Sequence, residues 1–323
     1  MTDRAHVSYR LATEADLDAC IGIWRVGIDD YQGRLNIPPL PPDSGYLRRY
    51  LAHVLQTDPN RFWVAAGQDG GTPIGFSSAT VRGSLWFLGM LFVDPARQGD
   101  GIGRALLDRS LLGREPEADA APDETGPVTR WGTCTDVLQP ISNALYARYG
   151  MVPRIPVWRM VGNVRDRSAL GPLPTGLRSV EFETVVKEDD GHRRLADAVN
   201  TLDADVLGFE RPGDHAWLRR ERFRGVLVLD GDVPVGYAYA SAVGRVGPIA
   251  ARDPELVAPV LGCVLDAVPA NGARATWIPG SAAGTFRDLL RAGMRLDGYP
   301  GLLCWSTAET PFDRYIPISL ALV

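Results

Sequence analysis

Residues 88–112 read LGMLFVDPARQGDGIGRALLDRSLL. The stretch opens as an apolar run and closes with apolar residues at helical spacing. Three glycines, Gly99, Gly101 and Gly103, stand between the two parts. A glycine inside a helix costs roughly 0.5–1 kcal/mol relative to alanine, so three at a helix mouth call for an offsetting gain. The run SLWFLGMLFV (84–93) predicts a strand buried on both faces, in a sheet centre. GIGRALLDRSLL predicts the helix that follows. A strand turning through glycines into a helix aims several backbone N–H groups in one direction. Those first N–H groups lack partners within the helix, and the helix dipole adds partial positive charge. Such a turn suits phosphate, and bare glycine lets phosphate approach the backbone.

Outward from this stretch, the chain reads as mixed α/β. HVSYRLAT (6–13) predicts a short strand. A helix follows, with Leu17, Ile21, Trp24 and Ile28 at helical spacing and Thr13 with Asp16 as its capping box. IPPLPPD (37–43) reads as a loop and SGYLRRYLAHVLQTD (44–58) as a second helix. RFWVAAGQDGGTPIGFSSATV (61–81) reads as a hairpin. Beyond residue 112, EPEADAAPDETGP (115–127) reads as an acidic loop and VTRWGTCTDV (128–137) as a strand. QPISNALYARYG (139–150) is a helix with Pro140 in its first turn, and MVPRIPVWRMVG (151–162) a strand.

The polar, Pro- and Gly-bearing stretch NVRDRSALGPLPTGL (163–177) reads as a linker, after which the programme repeats. Helices are expected in HRRLADAVNTLDADVLGF (192–209) and AWLRRERF (216–223), a hairpin in GVLVLDGDVPVGYAYASAV (225–243), and a strand in RVGPIAA (245–251). PELVAPVLGCVLDAV (254–268) is a helix, ARATWIPG (273–280) a strand, TFRDLLRAGM (285–294) a helix and RLDGYPGLLCWS (295–306) one strand. FRDLLRAGMRLDGYPGLLCW can be laid over SNALYARYGMVPRIPVWRMV with Gly-Met at the same place in each. The expectation is two tandem copies, at 1–162 and 179–323, joined by a linker at 163–178. The second copy has no counterpart of the glycine turn: after GRVGPIAARDPEL the chain enters a helix carrying Pro259.

The totals narrow the function. The chain has 323 residues, 45% hydrophobic and 23% charged, with a net charge of −5 and Lys187 as its one lysine. No basic block speaks for nucleic acid. Four cysteines (Cys20, Cys134, Cys263, Cys304) form no CxxC pair, and the four histidines are scattered in sequence, so neither a metal site nor a disulfide framework is expected. No apolar segment approaches membrane-spanning length, and MTDRAHVSYRLAT has no signal-like apolar core. The expected setting is cytoplasmic, with no membrane partner.

The glycine turn fits neither GxxxxGK[ST] nor GxGxxG. Gln98-Gly99-Asp100-Gly101-Ile102-Gly103 fits Q/R-x-x-G-x-G/A. VDPARQGDGIGRALL thereby resembles the acetyl-CoA-binding motif of the GNAT superfamily of N-acetyltransferases. ALYARYGMVPR resembles that superfamily's second signature, and the two stand in the family order with a strand between them. The resemblance implies a mixed α/β fold of the α+β type, two tandem GNAT-like domains, each a central mixed sheet flanked by helices, the second degenerate.

It also implies roles. Leu91, Phe92 and Val93 would pair through their backbone with the pantetheine arm of acetyl-CoA, the co-substrate. Gln98, Gly99, Asp100, Gly101, Ile102, Gly103 and Arg104 would seat the pyrophosphate. Tyr146 matches the tyrosine that protonates the leaving thiolate. The family often carries Asn seven residues before that tyrosine. Here Gln139 stands there, with Asn143 one turn from Tyr146 as a further cofactor contact. The strand 84–93 has no carboxylate, whereas Asp136 could orient a water at the amine or cap the following helix. Cys134, with no histidine near it in sequence, reads as buried rather than nucleophilic.

The reading is an N-acyltransferase that moves an acetyl group from acetyl-CoA to a primary amine, on a small molecule or peptide, by direct attack. A non-catalytic acyl-CoA-binding or regulatory protein is the alternative. A carrier-protein or peptide interaction module built on the second copy is a weaker third. The second copy would wall the acceptor cleft or form a homodimer face.

Overall fold

The structure, a computed structural model, describes residues 7–39, 45–67, 71–113 and 128–323. The acidic stretch 115–127 and residues 40–43 of the proline-rich stretch lie outside the described residues. The chain forms two compact units: residues 1–81 with 86–129, and residues 82–85 with 130–323.

In the first unit, β1 (Ser8–Leu11), β2 (Phe62–Ala66), β3 (Pro73–Arg82) and β4 (Leu85–Val93) are neighbours in that order. β1–β2 and β2–β3 are antiparallel. Helices α1 (Leu17–Arg34) and α2 (Gly45–Thr57) precede β2, and α3 (Ile102–Leu112) follows β4. The capping pair takes its expected form around a short 3-10 turn, Glu14–Asp16. The Thr13 N–H and hydroxyl donate to the Asp16 carboxylate at 2.8 and 2.9 Å, and Arg10 grips the same carboxylate with two bonds of 2.7 Å. The Arg10 guanidinium holds the Asp16 carboxyl down to about 2.

Ile102 and Leu106 of α3 pack on Trp63 and Ala65 of β2, with Leu91 and Val93 at the margin of that core. Phe92 points to the other face, stacking on Phe76 at 5.8 Å, and a Cβ at Gly27 of α1 would lie 3.2 Å from its ring. β4 departs from the expectation of burial on both faces throughout. Leu85–Leu88 are buried, but Gly89–Val93 are half-buried. An apolar run marks a strand's composition, not how far along it the neighbours extend.

In the second unit, β5 (Arg130–Asp136), α4 (Pro140–Ala147) and β6 (Val152–Gly162) come first. Then follow β7 (Leu177–Glu181), α5 (Phe182–Val185), α6 (Gly191–Leu207), α7 (Pro212–Arg220), β8 (Arg224–Asp230) and β9 (Val233–Ala240). The chain closes with β10 (Val246–Ala251), α8 (Val257–Ala267), β11 (Arg274–Pro279), α9 (Ala283–Arg291), β12 (Arg295–Leu296), β13 (Gly301–Trp305) and β14 (Tyr315–Ile316). The expected single strand at 295–306 is two pieces, because Gly298 turns the chain at φ +74° and Pro300 removes a ladder donor.

One sheet of this unit runs β14-β10-β9-β8-β7, antiparallel throughout. β9 shows why it is covered on both sides: Ala238 and Ala240 join the apolar core under α8, while Tyr237 and Tyr239 point oppositely. α8 is buried almost all round, as its all-apolar sequence VAPVLGCVLDA requires.

The other strand set runs β5-β13-β6-β11, with β12 also on β6. β13 is antiparallel to both β5 and β6, and β11 is antiparallel to β6. By sequence order β6 is the last strand of the first copy and β13 the last of the second. Each therefore pairs with the preceding strand of the other copy, β6 with β11 and β13 with β5. The expected copies divide at 162 and 178, whereas the compact units divide near 130, because this exchange binds β5 and β6 to the far end of the chain.

Candidate functional site

The glycine turn of the first unit begins with Asp94, whose side chain accepts the Ala96 N–H at 2.9 Å and starts a 3-10 turn, Pro95–Arg97. Gln98, Gly99, Asp100 and Gly101 follow, all exposed. Gly99 and Gly101 adopt φ +93° and +83°, the left-handed region that L side chains enter at a cost of roughly 1–2 kcal/mol. A Cβ on either would meet nothing within 4 Å, so the space before them is open. Gly101 is the N-cap of α3 and offers no side-chain acceptor, which leaves the first N–H groups of the helix, at Ile102, Gly103 and Arg104, facing outward.

Gly103 is different. Its φ is ordinary, and a Cβ would sit at normal contact, 3.7 Å from Val93 Cγ2. The fold does not require glycine there. The side chains of the turn are drawn aside: Asp100 pairs with Arg97 at 3.1 Å, and Gln98 Nε2 donates to the Val93 carbonyl at 3.3 Å. Arg104 projects from the first turn of α3 with its side chain 71% exposed, 4.0 Å from Asp108. The turn thus presents backbone N–H groups beside the half-buried end of β4, Leu91 to Val93.

Asp136, Asn143 and Tyr146 come together within the second unit. Asp136 ends β5, and its Oδ1 accepts the Leu138 N–H at 3.0 Å; the N-cap of α4 is Gln139, not Asp136. Asn143 Nδ2 donates to the backbone carbonyls of Asp136 and Gln139, at 3.2 and 2.9 Å, so this side chain fastens the β5–α4 turn. Cys304 of β13 donates its thiol to Asn143 Oδ1 at 3.8 Å. Tyr146 is buried on α4, bonded to Ser142. Burial, with Cys304 as a lesser cause, pushes its phenol above the ordinary value, so the neutral form holds its proton firmly. Burial likewise pushes up the Cys134 thiol and takes that of Cys304 to about 12, against a nucleophilic role for either.

The second copy repeats the scaffold without these parts. Asp253 accepts the Glu255 N–H at 2.9 Å and opens a 3-10 turn, Pro254–Leu256, as Asp94 does. α8 then starts at once, at Val257, with nothing matching Gln98 to Gly101. The two Gly-Met junctions also agree. Gly150 and Gly293 have φ +79° and +96°, and Met151 and Met294 donate to the carbonyls of Tyr146 and Leu289, at 3.1 and 3.0 Å. Leu289 therefore stands where Tyr146 stands, and the second copy lacks the phenol as well as the turn.

What the sequence hid is a buried polar group in that copy. The Asp203 carboxylate accepts from Arg211 Nε at 2.7 Å, from the Tyr237 hydroxyl at 2.5 Å and from His215 Nε2 at 2.8 Å; the other His215 nitrogen meets the Tyr239 hydroxyl at 2.9 Å. All five side chains are essentially inaccessible. Burial lowers the His215 pKa, so the ring is neutral, its Nε2 carries the proton given to Asp203, and Tyr239 donates to Nδ1. The scattered histidines thus do cluster in one case, with residues 12, 22 and 24 positions away that no local pattern joins. Of the aromatic residues of this copy, Trp217, Tyr237 and Tyr239 are buried in the core, whereas Tyr299 is exposed.

β1 to β4, the glycine turn and the helix opening on it form one continuous strand–turn–helix arrangement. Residues 28–151 match the acetyltransferase (GNAT) family. Solved structures extend the likeness of fold to the whole chain. A Pyrococcus horikoshii protein classed as an acetyltransferase superposes with a TM-score of 0.69 at 17% identity, over 100% of this chain and 98% of the other. A GCN5-related N-acetyltransferase from Sphaerobacter thermophilus gives 0.57 at 16%, over 98% of each chain. A tandem GNAT protein from the clavulanic acid biosynthesis pathway gives 0.52 at 14%, over 94% of this chain and 100% of the other. No curated protein matches the chain in sequence. Among the described residues, no helix is long and apolar enough to cross a membrane, and no group of His, Cys, Asp and Glu could hold a metal.

Proposed function

We propose that the protein is an acetyl-CoA-dependent N-acetyltransferase acting on a primary amine. The observation that carries this reading is the open left-handed turn Gly99–Gly101 at the mouth of α3, beside the half-buried end of β4. Acetyl-CoA supplies an activated acyl thioester. The chain's own groups do the rest. The N–H groups from Gly99 to Arg104 hold the pyrophosphate, and the backbone of Leu91 to Val93 pairs with the pantetheine arm and polarises the carbonyl. The amine nitrogen bonds to the acyl carbon as the carbon–sulfur bond breaks. Tyr146 gives its proton to the departing sulfur, a step that its raised pKa opposes and the developing thiolate charge must drive. Asp136 takes the amine's proton, directly or through water.

A second reading, an acyl-CoA-binding regulator without turnover, draws support from Asp136, one of whose oxygens is already engaged by the Leu138 N–H. Calorimetric titration of acetyl-CoA into the wild type and Gly101→Glu, with thiol release measured over a panel of amines, separates the outcomes. The transferase reading expects binding that the substitution abolishes, with thiol release that falls steeply in Tyr146→Phe. Binding without release on any amine selects the regulator. No binding overturns both.

A further inference from the structure

Several aspartates of this chain settle on the N–H group two residues further along. Asp94, Asp136, Asp166 and Asp253 accept from Ala96, Leu138, Ser168 and Glu255, at 2.9, 3.0, 3.0 and 2.9 Å. The side chain thereby mimics a backbone turn, and Asp94, Asp166 and Asp253 each open a 3-10 turn in this way. Asp100 has the same opportunity. The N–H two residues on belongs to Ile102, the first residue of α3. Gly101 between them stands at φ +83°, ψ 0°, the second central position of a type II turn, a shape that an aspartate turn can share.

Yet α3 has no side-chain cap. The Asp100 carboxylate is turned the other way, to Arg97 Nε at 3.1 Å. Arg97 ends the 3-10 turn that follows β4, so the same short segment that leads into the glycines also carries the group that holds the carboxylate. The pair lies at the surface, with side chains 27% and 46% exposed, and such a pair contributes little to folding. An uncapped helix start forgoes a contact that ordinarily stabilises a helix. The gain lies in what stays open. An aspartate cap would occupy an N–H group at the mouth of α3 and cancel the partial positive charge there.

From this diversion we infer that Arg97 is a positioning residue for acetyl-CoA: by holding the Asp100 carboxylate it keeps the first N–H groups of α3 open to the pyrophosphate. The inference rests on the acetyl-CoA reading of the turn. Without Arg97, Asp100 closes on Ile102 as its counterparts close on their own N–H groups, and an internal anion stands where the cofactor's anion binds. The uncompensated carboxylate also repels the pyrophosphate, since neighbouring residues of one tight turn lie closer together than the Debye length of about 8 Å.

The test uses the full chain and acetyl-CoA in calorimetry, with Arg97→Gln, Arg97→Lys, Asp100→Ala and the double variant of Arg97→Gln with Asp100→Ala. Arg97→Gln should weaken binding about three- to tenfold, the range that a competing helix cap takes away. Arg97→Lys keeps a charge that can pair with Asp100 and should stay within about threefold of the wild type. Asp100→Ala should bind at least as tightly as the wild type. The double variant should return to within about threefold of the wild type, because no carboxylate is left to restrain. The unfolding midpoint of Arg97→Gln should hold or rise while its affinity falls, since α3 gains a cap; a residue that merely supported the fold would lose both. Unchanged affinity in Arg97→Gln overturns the inference alone, as does a fall in both its affinity and its midpoint. A double variant as weak as Arg97→Gln overturns it too, by placing Arg97 on the phosphate itself. No binding of acetyl-CoA by the wild type overturns the inference together with the acetyl-CoA reading.

Discussion

At the residue scale, the glycines of the turn separate what the fold needs from what a ligand needs. Gly101 has φ +83°, so Gly101→Ala should lose about 1 kcal/mol of stability in denaturant titration as well as affinity for acetyl-CoA. Gly103 has no such constraint, and Gly103→Ala should keep or gain up to about 1 kcal/mol. If Gly103→Ala nevertheless weakens acetyl-CoA binding in calorimetry, the bare backbone there serves the ligand. Asp203 is the opposite kind of residue. Asp203→Asn leaves Arg211 buried without a counter-charge and should cost about 3–5 kcal/mol. Its neighbour His215 has a pKa below the ordinary 6.5, so the fold favours the neutral ring. That contribution is complete above about pH 6.5 and is lost as pH falls below it, since the unfolded chain then binds the proton more readily. His215→Gln should accordingly be less stable than the wild type at neutral pH, yet lose less between about pH 7 and 5. Asp16 acts lower: with its carboxyl at about 2, its contribution is complete above the ordinary carboxylate value of 3.8 and fades as pH falls towards 2.

At the scale of elements, the turn was legible because its signal is local: glycine spacing, a strand before it and a helix after it. The capping pair Thr13–Asp16 was legible for the same reason. The half-buried end of β4 was not, since Leu91, Phe92 and Val93 are as apolar as Leu85 to Leu88 and only neighbouring elements decide which are covered. Asp136 was left between two roles because both need a carboxylate at a strand end. The structure shows one of its oxygens accepting the Leu138 N–H, while the helix N-cap is Gln139. The break between β12 and β13 was written in Gly298 and Pro300 but masked by the apolar letters around them. The half-buried end of β4 carries its own test. Amide exchange at Leu91 to Val93 should slow when acetyl-CoA is added, and a turn that binds only inorganic phosphate would leave those amides unchanged.

At the scale of the whole molecule, the tandem order was legible and the exchange of closing strands was not, because sequence order says nothing about which copy's strand completes which sheet. β13 stands between β5 and β6 and satisfies both ladders. A fragment comprising residues 1–162 should therefore be insoluble or aggregated, since β5 loses β13 and β6 loses both β13 and β11, and co-expression with residues 163–323 should restore soluble protein. A soluble, acetyl-CoA-binding fragment 1–162 would show that β13 is dispensable. The exchange also bears on the history of the gene. After a duplication, a copy that has lost its binding turn and its phenol is ordinarily free to decay or be deleted. Here deletion would remove the strand that closes its sibling's sheet. Selection can therefore relax on the second copy's turn while still holding its backbone in place.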